Sequence, residues 1–306
     1  MNRHIKKYYF YFAARLLDLI GLYDQSIAYY SQVIQIRTFF WDVQKRHIAA
    51  YQKSSKKCYL EIHGGVGDFL QHLPFILKNK SAKYIVATHF LAAKAFFETL
   101  GIHVSKYYFY NTADEYSTIR LELKKLQYSY WCPKKVFFDI LPFKAQKIPK
   151  LKTDIVIGLQ IGSSRLTNSP LSVKFALKLV DALLGMGCSI ILFGTKKEID
   201  QLKLKARKEL FFATDKDITK NLYLVQCCDL LIGGESVFKT MSSMSKIKTL
   251  VIHADNNNRF RDRVFTNPYT QAGVMNIYKY KNLDKEIPLV LDYVKHLIQN
   301  ELKLIS

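Results

Sequence analysis

Asp68 follows the run Gly64-Gly65-Val66-Gly67 and precedes apolar residues at helical spacing, Phe69, Leu70, Leu73, Phe75, Ile76 and Leu77. Glycines let a backbone approach a ligand where a Cβ would clash. A carboxylate at a helix N-terminus stays ionised, and the carboxyl end of a strand is where open α/β sheets bind ligands. Such a group can take a proton from an attacking hydroxyl. The same residues also read as a plain strand–turn–helix joint in which Asp68 serves only its own helix end. Three further loops carry polar or basic residues: Gly162-Ser163-Ser164-Arg165-Leu166-Thr167-Asn168, Gly233-Gly234-Glu235-Ser236, and His253-Ala254-Asp255-Asn256-Asn257-Asn258-Arg259. Each follows a run of strand type, so in a parallel sheet all three project from one edge. Hydroxyls, backbone N–H groups and arginine converging there suit a diphosphate.

The elements that must position these loops alternate between strand and helix patterns from residue 58 onward. Strands are expected at 58–63, 83–88 and 136–139, with a shorter one near 102–104, and helices at 68–79, 90–100 and 113–126. Pro133, Pro142 and Pro149 then fall in a lysine-rich stretch that reads as a linker ending near Lys152. A second series follows, with strands at 154–161, 189–193, 222–225, 230–232 and 249–253, and helices at 171–186, 196–210 and 237–245. A last amphipathic helix, 283–302, closes the chain by its own domain or by reaching back to the first. Strands alternating with helices in both halves imply an α/β fold with mostly parallel sheets. Residues 1–50 read as helices broken at Gly21, and the pattern around Gly21, Tyr23, Ile27, Tyr30 and Ile34 is that of one tetratricopeptide-type hairpin. A single copy cannot build a solenoid, so a hairpin packed on its own catalytic domain is expected. Its cationic, tyrosine-rich start, from Arg3 to Phe12, also suits an anionic membrane surface. The domains are therefore expected at 1–55, 56–150 and 151–306.

The chain of 306 residues carries 46 Lys and Arg against 25 Asp and Glu, a formal charge of +21. That balance suits anionic partners such as lipid headgroups and phosphorylated sugars. The basic residues are scattered and no zinc-finger, RRM or helix-turn-helix signature appears, so no nucleic acid is expected. Five cysteines without a C-x-x-C pair, and eight histidines without ligand spacing, point to a reducing compartment and no metal site. No apolar run reaches the roughly 20 residues of a membrane span, and no signal peptide is read. The expected location is the cytoplasm, with contact at the inner face of the cytoplasmic membrane.

Three ordered motifs carry a resemblance. They are Gly67-Asp68-Phe69-Leu70-Gln71-His72-Leu73-Pro74; Ile157-Gly158-Leu159-Gln160-Ile161-Gly162-Ser163-Ser164 with Pro170-Leu171; and Leu231-Ile232-Gly233-Gly234-Glu235-Ser236. With the strand 249–253 and Ala254-Asp255, their order and spacing over residues 56–270 resemble the family-9 glycosyltransferases, the lipopolysaccharide heptosyltransferases and their relatives. The resemblance implies a GT-B architecture of two Rossmann-like domains, acceptor side first and donor side second, with a cleft between them. It implies inverting, metal-independent transfer of a heptose or related sugar from a nucleotide-diphosphate sugar, with no other cofactor, to a glycan or lipopolysaccharide-core acceptor. Asp68 is then the base, and Gly64, Gly65 and Gly67 form the acceptor-side loop. Gly162, Ser163, Ser164, Arg165, Glu235, Ser236, Lys239, Asp255 and Arg259 bind the donor, with Glu235 on a ribose hydroxyl and Arg165, Lys239 and Arg259 on the leaving diphosphate. The chain departs from the family pattern in three places. Thr167 stands where a donor-loop lysine is usual, Glu235-Ser236-Val237 replaces an aspartate–small–glycine triplet, and a histidine of the following helix is missing. The N-terminal hairpin lies outside the family pattern. A nucleotide-sugar epimerase of the same architecture and a non-catalytic GT-B scaffold are the alternative readings.

Overall fold

In the computed structural model, residues 3–35, 42–54, 58–62, 65–78, 80, 84–125, 129–131, 135–141, 151, 153, 155–162, 171–214, 218–254 and 268–301 are described. The chain divides into two compact units, Met1–Val136 and Phe137–Ser306. The N-terminal helices thus fall in the same unit as the first sheet, and the division falls within the proline-containing stretch, between Pro133 and Pro142.

The first unit opens with α1 (Arg3–Leu19), α2 (Tyr23–Gln35) and α3 (Val43–Lys53). Gly21 makes the first turn at φ +80°, a conformation that glycine adopts without strain. The hairpin is extended by α3 and tied at Asp42, whose carboxylate accepts from the Tyr11 hydroxyl at 2.8 and 2.9 Å and from Arg46 Nε at 2.6 Å. Tyr30 is fully buried between the helices and donates to Asp18 at 3.4 Å.

After the helices come β1 (Cys58–Ile62), α4 (Val66–Leu77), β2 (Tyr84–Thr88), α5 (Ala93–Thr99), β3 (Val104–Phe109), α6 (Ala113–Lys125) and β4 (Ser129–Trp131). The strands form a parallel sheet in the order β3-β2-β1-β4. Phe69 anchors α4 to the sheet's helical layer, with ring centroids 5.4, 5.7 and 5.5 Å from Phe90, Phe96 and Phe97. The strand expected at 136–139 is absent. Phe138 takes φ +55°, outside the strand region, and Val136 N–H donates to the Gln71 carbonyl at 2.7 Å instead of a ladder. The fourth strand is Ser129–Trp131, beside β1.

The second unit holds β5 (Val156–Gln160), α7 (Val173–Gly185), β6 (Ser189–Phe193), α8 (Lys196–Asp200), β7 (Leu210–Ala213), α9 (Ile218–Val225), β8 (Leu230–Gly233), α10 (Val237–Met244), β9 (Lys248–Ala254), α11 (Pro268–Gln271), β10 (Met275–Tyr280) and α12 (Leu283–Glu301). Its strands are all parallel, in the order β10-β9-β8-β5-β6-β7. That is the doubly wound order, with the chain reversing direction across the sheet between β5 and β8. Phe175, Leu179 and Leu183 of α7 pack with Ile287, Val290, Val294 and Ile298 of α12 over β5 and β6. The last helix therefore closes the second unit's own core.

Two sequence expectations fail in this unit, and the edge strands β7 and β10 are additions. Residues 222–225 are the end of helix α9, since a short apolar run does not separate strand from buried helix. The helix expected over 196–210 stops at Asp200, and Lys203 turns the chain at φ +51° toward β7. Strand β10 is an addition at the sheet's edge, where partly exposed Asn276–Lys279 blur the apolar pattern.

Candidate active site

In the first sheet the chain reverses direction between β1 and β4, and Asp68 stands at that point. Gly65 caps α4 and places Asp68 in the helix's first turn. Asp68 Oδ2 accepts from Gly65 N–H at 3.0 Å, which is one half of a capping box. Its Oδ1 accepts from Lys135 Nζ at 2.5 Å. Lys135 follows β4, and the Val136–Gln71 bond pins its segment against α4. Two parallel neighbours thus deliver a carboxylate and an ammonium group to the same end of the sheet from positions 67 residues apart.

Partial burial pushes the Asp68 carboxyl upward. The hydrogen bond and charge of Lys135, the Gly65 N–H and the nearby His72 outweigh that effect and hold it below the usual carboxylate range. Asp68 is ionised at neutral pH and 41% of its side chain faces solvent, so its remaining lone pairs are accessible to a hydroxyl.

In the second unit the corresponding reversal lies between β5 and β8. Buried Gln160, the last residue of β5, accepts from Gly234 N–H at 3.2 Å through its side-chain oxygen, tying the loop after β8 to the neighbouring strand. Gly233 is needed there, because an added Cβ would lie 2.8 Å from that same oxygen and 3.0 Å from the Gln160 carbonyl. Ser236 caps α10 by accepting from Lys239 N–H at 3.3 Å. Glu235 and Lys239, one turn apart, form an ion pair through both carboxylate oxygens, Oε2 at 2.9 Å. Lys239 is buried, so its charge is directed first at Glu235.

Gly162 continues from β5 and packs against the Glu198 carboxylate. An added Cβ would lie 1.8 Å from the Glu198 carboxylate. Glu198 is held by a capping box with Thr195, which donates N–H at 2.6 Å and its hydroxyl at 2.8 Å to Oε2. The structure therefore brings Gly162, Glu235, Ser236 and Lys239 to one edge of the second sheet, and Gly65, Gly67 and Asp68 to one edge of the first. Gly64, Ser163, Ser164, Arg165, Asp255 and Arg259 lie outside the described residues. Lys135 and Glu198 are additions. Lys135 sits in a stretch that the sequence marks as linker, and only the pairing of β4 with β1 reveals its position.

No protein-family model and no curated protein matches the chain. Among solved structures, Escherichia coli ADP-heptose lipopolysaccharide heptosyltransferase II is similar with a TM-score of 0.52 at 11% identity, over 80% of this chain and 99% of that one. A family-9 glycosyltransferase from Veillonella parvula gives 0.43 at 13% identity, over 83% and 90% of the two chains. A protein assigned as a UDP-N-acetylglucosamine 2-epimerase from Listeria monocytogenes gives 0.48 at 11% identity, over 79% and 89%. At 11% identity the likeness to the heptosyltransferase is one of fold: an α/β architecture of two units, each built on a parallel sheet.

Proposed function

We propose that the chain is an inverting, metal-independent glycosyltransferase. It moves a heptose or related sugar from a nucleotide-diphosphate sugar to an anionic glycan or glycolipid acceptor. The observation that carries this reading is the ionised, solvent-facing Asp68, fixed by Gly65 and Lys135 where the first sheet reverses direction. Support for the donor comes from the second unit, whose doubly wound sheet presents Gly162 and the Gly233–Ser236 loop where such sheets bind nucleotides. The solved neighbour with a TM-score of 0.52 is named as an ADP-heptose heptosyltransferase.

In this reading the acceptor oxygen forms its bond to the anomeric carbon as the bond from that carbon to the diphosphate oxygen breaks. The hydroxyl proton passes to Asp68, and the electron pair of the broken bond leaves on the diphosphate. A carboxylate of depressed pKa is a weak base in the ground state. It suffices because the attacking hydroxyl turns acidic only as the glycosidic bond forms. Lys135 keeps Asp68 charged and oriented. The helix N-terminus at Ser236, with Arg165 and Arg259 from the neighbouring loops, meets the diphosphate charge. Lys239 acts there to the extent that the donor draws it from Glu235, whose carboxylate is then released toward a ribose hydroxyl.

The test is release of nucleoside diphosphate across a panel of nucleotide-diphosphate sugars, with and without phosphorylated glycan acceptors. Acceptor-dependent release from one donor is expected. A donor converted to its epimer without release, or no donor bound at all, would overturn the reading.

A further inference from the structure

Helix α1 has two apolar faces, and the fold uses one of them. Tyr11 and Ala14 are buried toward α2, and Tyr11 reaches Asp42. On the opposite side Ile5, Tyr8, Tyr9, Phe12, Leu16 and Leu19 recur at three- and four-residue intervals, with Phe12 65%, Leu16 61% and Leu19 76% exposed. The stripe continues into Ile20 and Leu22 beyond the helix end. A soluble helix ordinarily turns charged residues outward, so a continuous outward apolar stripe marks an interaction surface.

Its borders identify what covers it. Residues 3–17 contain Arg3, Lys6, Lys7 and Arg15 and no acid. Lys6 Nζ lies 5.8 Å from the Phe10 ring centroid and Lys7 Nζ 5.1 Å from that of Tyr8, so both cations lie along aromatic surface with their heads at the stripe's margin. The first acid, Asp18, is engaged on the inner side by Tyr30. A second copy of this chain would bring like-charged borders together, on a molecule already at +21. An anionic bilayer attracts those borders, takes the aliphatic side chains at the acyl boundary, and suits the tyrosines at headgroup level. At about 1.5 Å per residue the helix is near 26 Å long, yet its four cations bar it from spanning. Among the described residues no helix is long and apolar enough to cross a membrane.

We propose that the outer face of α1 lies in the plane of an anionic lipid surface, with Phe12, Leu16 and Leu19 inserted and Lys6 and Lys7 at the headgroups. This would bring the chain to the surface that carries a glycolipid acceptor. It rests on no step of the transfer chemistry, because binding is measured without donor or acceptor, and failure of either reading leaves the other standing.

The experiment is co-sedimentation of the full chain with vesicles of phosphatidylcholine alone or mixed with phosphatidylglycerol. Binding to the mixed vesicles is expected, falling sharply as salt shortens the Debye length from about 10 Å toward about 3 Å. Phe12→Ser with Leu16→Ser should lower partitioning about tenfold or more. Lys6→Gln with Lys7→Gln should lower it about fivefold per charge. Both pairs replace residues outside the hairpin core, and an unchanged circular-dichroism melt confirms folding. Equal binding to neutral vesicles, or binding that the Phe12 and Leu16 changes leave intact, would overturn the proposal. So would a dimer in sedimentation equilibrium that those changes dissociate while the vesicles remain unbound.

Discussion

Replacing Asp68 with Asn separates the two roles of that carboxylate. Asn keeps the shape and can still accept from Gly65 N–H, but it loses the charge and the proton affinity. The lost charge costs stability in two ways. Its favourable place in the first turn of α4 is worth about 0.3–1 kcal/mol. The Lys135 pair has 43% and 41% exposed side chains, so it contributes at the level of a surface ion pair, about 0.2–1 kcal/mol. The total is about 0.5–2 kcal/mol, against a typical folding free energy of about 5–15 kcal/mol. The variant therefore stays folded, with a fall in Tm of about 2–4 °C per kcal/mol. A lost general base costs about 10²–10⁴ in rate, or about 3–5 kcal/mol of barrier, so the catalytic loss exceeds the structural one. The assay is steady-state transfer together with calorimetric donor affinity, which should be nearly unchanged because Asp68 lies in the first unit. The sign of the pH effect follows from the depressed carboxyl of Asp68. Its stabilisation is present above the unfolded value of about 3.9 and is lost as pH falls through the folded value. The Tm difference between wild type and variant should be flat from neutral pH down to about 5 and should close below that. More than half of wild-type turnover in Asp68→Asn would remove this residue from the chemistry.

Lys135→Met leaves the burial of Asp68 opposed only by the Gly65 N–H and His72, so the acid limb of kcat/KM against pH should move to higher pH, while Lys135→Arg should hold it in place. An unmoved limb in the Met variant would show that the pair does not set the base. Gly162→Ala must displace the Glu198 carboxylate from Thr195 and should cost about 1 kcal/mol, the worth of a helix cap. In the Gly162→Ala, Glu198→Ala double variant that clash is gone, so additive losses by denaturant titration would contradict the packing. Burial depresses the His47 imidazole to about 3, beside the Ser31 hydroxyl at 3.0 Å. The unfolded chain binds that proton first, so stability is full above about pH 6.5 and falls as pH drops toward 3. His47→Gln should flatten this dependence in melts monitored between pH 7 and 4, and an unchanged slope would assign the acid sensitivity elsewhere. Transfer should survive EDTA, whereas loss on chelation with recovery on adding magnesium or manganese would contradict the metal-independent step.

The glycine–acid joint at Asp68 was legible because it is local: a strand pattern, a glycine turn and an acid within one helical turn carry their geometry in sequence order. The Gly233–Ser236 loop was legible for the same reason. Lys135 was not, because its role depends on β4 lying beside β1, and its own neighbourhood of prolines and lysines reads as a linker. Glu198 was hidden by the same kind of distance, since only the adjacency of β5 and β6 places it over Gly162. The pairing of Glu235 with Lys239 is an i,i+4 attraction, and it competes with the separate donor roles that the family resemblance implies for each residue. The edge strands β7, of four residues, and β10 are only partly buried, so periodicity gives little signal there. The outward stripe of α1 could not be told from a core face by spacing alone. Structure separates Tyr11 and Ala14, which are buried, from Phe12 and Leu16, which are not.

The central claim is transfer with inversion at the anomeric carbon by a metal-free, carboxylate-assisted displacement. It is tested most directly by NMR of the product that the wild-type chain forms in the presence of EDTA from a donor of known anomeric configuration. The account predicts one nucleoside diphosphate released per glycosidic bond formed, with the anomeric configuration of the transferred sugar opposite to that of the donor. A product that retains the donor's configuration, or an epimerised donor with no glycosidic bond formed, would contradict it.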